Sequence, residues 1–255
     1  MTGAGRANPQ ESGRADGGGV VRVTLVGAGP GDADLLTLRA EAELAAAATV
    51  VSDARVQALA RAFAPRAELV VVPDGAAGVP AILAAALQPN GDVVRLYVGD
   101  PWLHPAHGEE LAALHQAGVA TEAIAGVAVE LGVPAQAGIA VHVRHLAVVC
   151  TLGSVEEVPR LVDPAHTLVV SGKDGAAAAR HLAARGGQDL PAAILPLDGG
   201  PGEERGLVGS LALGAGDAGP SLLVVGAVAA RGAAGRRSTA PVPGVLPQAI
   251  RGGDR

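Results

Sequence analysis

Short β-branched runs alternate along the chain with Ala- and Leu-rich stretches of helical spacing. VVRVTLVG leads into LLTLRAEAELAAAA, and TVVS, ARVQALARAFA, ELVVVP, VPAILAAALQ and DVVRLYVG follow in turn. Apolar runs without polar alternation mark strands covered on both faces, and the stretches between them suit crossover helices. The pattern predicts an α/β fold built on a mainly parallel sheet. A second series begins near Gly126, with a small-residue helix (VAVELGVPAQAG), HLAVVCTLG, a stretch opening SVEEVPRLV, the strand TLVVSG and a helix GAAAARHLAARG. It continues through AAILPL, a turn-rich GGPGEER, GLVGSLA and a final apolar strand SLLVVGAVA. Two α/β lobes are expected, residues 20–125 and 126–231, with a site between them, where pockets commonly form. Residues 1–19 and 232–255 are rich in Gly, Pro and Arg without period, and read as disordered tails.

Composition narrows the classes. Of 255 residues 49% are hydrophobic but only 1% aromatic, the whole set being Phe63, Tyr97 and Trp102. Base-stacking modules need more rings than that, and a formal charge of −6 repels phosphate, so nucleic acid is a poor partner. No apolar run approaches the roughly 18 residues of a membrane span, and the first residues hold no apolar core of a secretory signal. Cys150 is the only cysteine, which excludes an intrachain disulfide and fits the cytoplasm.

The strongest local feature is VTLVGAGPGDADLLTLRA, residues 23–40, where Gly27, Gly29 and Gly31 lie between a strand and a helix. Glycine there lets a ligand approach the backbone, and Asp32 or Asp34 is placed to cap the helix. A dinucleotide loop would need its third small residue at position 32, which is Asp32, and Pro30 interrupts the turn. Asp53 nevertheless ends the second strand where a nicotinamide enzyme holds its ribose, so a dehydrogenase stays open, as does a purely structural loop. An aspartate after a buried strand is also an ordinary helix cap.

The longer run LVGAGPGDADLLTLRAEAELAAAATVVSDARV resembles the opening of the tetrapyrrole methylases, most closely the uroporphyrinogen-III C-methyltransferases. Their second element appears as VVRLYVGDPWLHPAHGEELAALHQAG at 93–118 and their third as AGVAVELGVPAQAGIAVHVR at 125–144; SLLVVGAVA matches their closing strand. The resemblance, covering residues 20–231, implies a two-lobed α/β homodimer with S-adenosylmethionine in the cleft between the lobes. It implies methyl transfer to uroporphyrinogen III, giving precorrin-2 on the way to sirohaem and cobalamin. It also makes Asp53 the proton acceptor and assigns Pro30, Val98, Gly99, Asp100, Leu103, Ala128, Val129, Gly172 and Gly199 to the cofactor. Arg55 and Arg144 are the weaker candidates for the substrate's carboxylates.

Departures from the family pattern bear on activity. Asp74 stands nearest the place of a second acid–base lysine, Ala54 takes an arginine's place with Arg55 next to it, and Ala106 takes another's. Pro105 and His107 replace flanking glycines, Ala128 lacks the usual hydroxyl, and Gly172 stands for a methionine. A polycarboxylate substrate calls for guanidinium groups, so these losses leave open a methylase of another substrate, or a member that binds cofactor or tetrapyrrole without catalysis. His104 and His107 have a metal-like spacing but no third and fourth ligand, so no metal is expected. His142 and His145 either line the cleft or sit in an exposed loop. Tyr97 and Trp102 bracket Val98–Pro101, where a ring could face a sulfonium or simply pack.

Overall fold

The computed structural model describes residues 22–75, 77–88, 91–141, 147–151, 167–172, 175–197, 203–214 and 220–231. Both expected tails and the SVEEVPRLV stretch lie outside the described residues.

The first sheet contains β1 (Arg22–Gly27), β2 (Thr49–Asp53), β3 (Glu68–Val72), β4 (Val93–Tyr97) and β5 (Ala120–Ile124). Its order is β3-β2-β4-β1-β5 and every pairing is parallel. The β-branched runs are covered on both faces, as their lack of alternation predicts. On one face Val26, Val50, Val94 and Leu96 pack with Leu44 of α1 (Leu38–Ala46) and Leu59 and Phe63 of α2 (Gln57–Phe63). On the other, Val23, Leu25, Val51 and Tyr97 pack with Ile82 of α3 (Val79–Ala86) and Leu114 of α4 (His107–Gln116). The chain leaves β1 toward one edge of the sheet and β4 toward the other, so the carboxyl ends of these neighbours flank a topological switch point, where open α/β sheets bind ligands.

Neither β5 nor α4 stands out in the hydrophobic pattern. β5 is an edge strand of sequence ATEAI whose residues are mostly half-exposed, and Ala and Glu are weak strand formers. The cap of α1 is Thr37, whose Oγ1 accepts from the Ala40 amide at 3.2 Å; neither Asp32 nor Asp34 serves. The Asp32 carboxylate instead accepts from the Gln136 amide side chain.

The second sheet contains β6 (Ala147–Thr151), β7 (Thr167–Gly172), β8 (Pro191–Pro196), β9 (Glu204–Leu207) and β10 (Ser221–Val225), in the order β6-β7-β10-β8-β9. Among these strands only β6 and β7 run parallel, so this half is a mixed sheet where the first is wholly parallel. GGPGEER is too short to carry a crossover helix and returns β8 antiparallel into β9. SLLVVGAVA is strand only to Val225; Gly226, at φ 127°, turns the chain into α8 (Ala227–Arg231). One face packs Leu168, Ile194 and Leu223 against α6 (Gly175–Leu182) and α7 (Val208–Gly214). The opposite face packs Val169, Leu195, Leu222 and Val224 against Val133 of α5 (Val129–Gln136) and Val228 of α8.

Helix α5 thus ties the end of the first sheet to the second. Its Glu130 carboxylate accepts from the Ser171 hydroxyl at 2.6 Å, and Arg205 donates to the carbonyl of Ala137 just beyond it at 2.8 Å. Among the described residues no helix is long and apolar enough to cross a membrane.

Candidate functional site

All strands of the first sheet are parallel, so the loops after β1, β4 and β5 emerge on one edge. There they are locked together by glycine. Gly29 and Gly99 exchange backbone hydrogen bonds at 3.1 and 2.8 Å, each at a positive φ of about 70° that disfavours any side chain. A Cβ on Gly27 would lie 2.6 Å from the Gly126 nitrogen and the Gly99 oxygen, and one on Gly126 would strike the same Gly99 oxygen. Asp100 completes the junction, one carboxylate oxygen accepting from the Trp102 amide at 2.9 Å and the other from the Gly126 amide at 3.0 Å. Gly31, by contrast, has φ 113° and nothing within 4 Å of where a side chain would begin. Open space therefore flanks this loop.

Beneath the junction lies a buried charged cluster on the α3/α4 face of the sheet. Asp53, at the end of β2, has no exposed surface. Its Oδ2 accepts from the Val98 amide at 2.9 Å and faces His104 Nε2 at 3.1 Å. Its Oδ1 sits 2.8 Å from an Arg95 guanidinium nitrogen, off the line of a hydrogen bond, so this contact is a charge pair more than a directed bond. Arg95, equally buried, also donates to Glu110 at 3.0 Å and to the Leu96 carbonyl at 2.9 Å, and lies 4.3 Å from the centre of the Tyr97 ring. Glu110 further accepts from the Tyr97 hydroxyl and the Gly78 amide.

The cluster fixes its own protonation states. Burial alone would raise the Asp53 carboxyl, but the His104 contact, the Arg95 charge and the Val98 amide outweigh it and hold the group below its ordinary value. Burial and then the Glu110 carboxylate push the Tyr97 phenol well up, so it stays a donor. His107 is pushed down, chiefly by burial, and among the described residues neither of its ring nitrogens has a hydrogen-bond partner.

Gly99 meets Val129, the first residue of α5 after its cap Ala128, with the Val129 nitrogen 3.4 Å from where a Gly99 side chain would start. Pro30 is buried beside Gly132 of α5, and the backbone of Gly172 follows Ser171, the partner of Glu130. Leu103 is half-exposed at the end of a short 3-10 turn (Pro101–Leu103). Arg55 lies off this junction, its amide and guanidinium both on Asp74, at 2.9 and 3.4 Å. Gly199, Arg144, His142 and His145 lie outside the described residues. Tyr97 is fully buried, bonded to Glu110 and 4.8 Å from the ring of His104 in the loop it precedes; Trp102, 63% exposed, stacks edge-on to His107 at 4.6 Å.

Three members of the cluster have no place among the candidates drawn from sequence: Arg95, Glu110 and His104. A lone arginine inside the apolar run VVRLY was the available signal, since an unpaired charge is almost never fully buried. His104 was weighed only as a metal ligand.

Comparison with known proteins identifies the family. Residues 22–209 match the family described as tetrapyrrole (corrin/porphyrin) methylases. The chain is 35% identical over 144 residues to the uroporphyrinogen-III C-methyltransferase of Methanobacterium ivanovii, covering 54% of this chain and 62% of that one. It is 39% identical over 133 residues to a siroheme synthase of Mannheimia succiniciproducens, covering 49% of this chain and 28% of that one. The match therefore spans less than two thirds of either relative. The crystal structure of a uroporphyrin-III C-methyltransferase from Thermus thermophilus complexed with S-adenyl homocysteine aligns with a TM-score of 0.64 and 31% identity, over 81% of this chain and 92% of that one.

Proposed function

Since the chain belongs to the tetrapyrrole methylases, we propose that it is an S-adenosylmethionine-dependent C-methyltransferase that converts uroporphyrinogen III to precorrin-2. The observation that carries this reading is the convergence of the β1, β4 and β5 loops on the start of α5 at the switch point of the sheet. The residues present fit the cofactor: Gly31 leaves open space where a side chain would stand, and α5 opens at Ala128 with no side-chain cap of its own. Pro30, Val98, Gly99, Asp100, Leu103, Ala128, Val129, Gly172 and Gly199 would hold it. Bound there, it supplies an electrophilic methyl group on a sulfonium. The protein's own part is alignment and proton handling: the fused loops fix the position of the bound partner, and the buried Asp53 cluster holds a negative charge next to them. Arg55 and Arg144 would meet the substrate's carboxylates, and the chain would act as a homodimer.

Anaerobic incubation with labelled S-adenosylmethionine and uroporphyrinogen III should yield a dimethylated product, and no transfer would refute the substrate. One observation favours a second reading, a methylase of another tetrapyrrole or a binding member without catalysis. Arg55 is already paired with Asp74, the residue nearest the place of the family's acid–base lysine. Calorimetry showing S-adenosylhomocysteine binding without transfer to uroporphyrinogen III would select that reading.

A further inference from the structure

Helix α5 stands between the two sheets, and its residues divide by helical spacing. Val129, Gly132 and Gln136 meet the loops of the first sheet: the Val129 nitrogen lies 3.4 Å from where a Gly99 side chain would start, a Cβ on Gly132 would sit 3.3 Å from Pro30, and Gln136 donates to Asp32. Glu130, Val133 and Ala137 meet the second sheet. On the first side α5 abuts the locked glycine junction. On the second it rests on apolar groups, with Val133 and Ala137 joining a cluster that holds Val169, Leu222 and Val224. Such contacts have no direction of their own and resist sliding weakly.

Glu130 interrupts that apolar surface. It is 2% exposed, and its Oε1 accepts from the Ser171 hydroxyl at 2.6 Å. Ser171 shares the α5-facing side of β7 with Val169, two residues earlier, and the strand ends at the next residue, Gly172. A leucine at 130 would bury more apolar surface without the desolvation that a carboxyl group costs, so stability alone does not account for the acid. Direction does, because this hydrogen bond is satisfied at one register of α5 on β7 and lost at its neighbours.

We propose that Glu130 and Ser171 are a positioning pair that sets the gap between the start of α5 and the end of β7. The inference rests on the S-adenosylmethionine reading above, in which Ala128 and Val129 form one wall of the cofactor site and Gly172 another. Each member acts through the backbone beside it. Glu130 fixes the helical turn that opens at Val129, and Ser171 fixes the strand end that delivers Gly172. A misplacement of about 1 Å in a binding site is enough to cost about 100-fold in rate, so a single directed bond at this seam carries weight beyond its own strength.

Variants of the full chain separate positioning from stability. Glu130→Leu combined with Ser171→Ala replaces both partners of the bond by apolar groups, so neither is left buried without the other. Its melting temperature should stay within about 3 °C of wild type or rise, while S-adenosylhomocysteine binding by calorimetry weakens at least about 10-fold. Glu130→Gln keeps an acceptor for the Ser171 hydroxyl and should bind within about three-fold of wild type. Affinity within about two-fold of wild type in the folded double variant, or a loss in Glu130→Gln as large as the double variant's, overturns the proposal. Should the double variant not fold, Ser171→Thr and Ser171→Ala decide: threonine keeps the hydroxyl and should bind at least about five-fold tighter than alanine, and equal affinities overturn the pair. No binding by the wild-type protein would refute the cofactor reading and the proposal with it, whereas wild-type binding that the double variant retains refutes the pair alone.

Discussion

Replacing Arg95 with methionine probes the charged cluster most directly. Methionine keeps much of the stem's volume but removes the guanidinium that lies 2.8 Å from Asp53 and 3.0 Å from Glu110, both without exposed surface. Breaking a buried pair from one side costs about 3–5 kcal/mol, because the partner charge is left behind. For a domain of this size, that lowers the melting temperature by roughly 6–20 °C. The dependence on pH should shift. In the wild type the Asp53 pKa is depressed, so its contribution is present above the ordinary carboxylate range and is lost as pH falls below about 4. In the variant the His104 contact and the Val98 amide still oppose burial but the guanidinium does not, so the carboxyl rises from its wild-type value and acidification from about pH 7 to about pH 4 should narrow the deficit. Urea unfolding followed by circular dichroism at both pH values measures this. Adding Asp53→Asn to the variant should recover part of the loss. A deficit under about 1 kcal/mol, or one that does not vary with pH, would refute the account of the cluster.

Three further outcomes follow. Tyr97→Phe removes the hydroxyl bound to Glu110 and should cost about 1.5–3 kcal/mol in the same unfolding assay, since that bond ends on a charge. Trp102→Leu should change stability by less than about 0.5 kcal/mol, the ring being 63% exposed, yet weaken S-adenosylhomocysteine binding in calorimetry; the reverse would return the ring to a packing role. Gly126→Ala drives a Cβ into the Gly99 carbonyl and should abolish that binding or prevent folding, whereas Gly31→Ala, with open space around it, should lose stability only through its positive φ, by about 1 kcal/mol.

The parallel half was legible because its strands are unbroken β-branched runs between helices, and the glycine loop stood out by its spacing. In the second half strand direction was less legible: only the turn-rich GGPGEER points to the antiparallel return of β8 into β9. Asp53 was legible as a strand-end carboxylate, but its enclosure was not. That depends on Arg95 and Glu110, which are separated in sequence and meet only because β4 and α4 share one face of the sheet. The two readings of Tyr97, packing or facing a ligand, stayed open for a related reason: residues of one strand alternate between faces, and Tyr97 shares the face of Arg95, where its hydroxyl meets Glu110.

The backbone contact of Gly27, Gly99 and Gly126 has a bearing on recombination among relatives. Three loops far apart in sequence form one solid block, with no room for a side chain at the shared point. A chimera whose crossover falls between Gly31 and Val98 joins a β1 loop from one parent to β4 and β5 loops from another. It should fold poorly wherever the parents differ in loop path. A crossover beyond Val129 inherits the block whole, so the first sheet's edge can pass intact while the second sheet and its ligand contacts are exchanged.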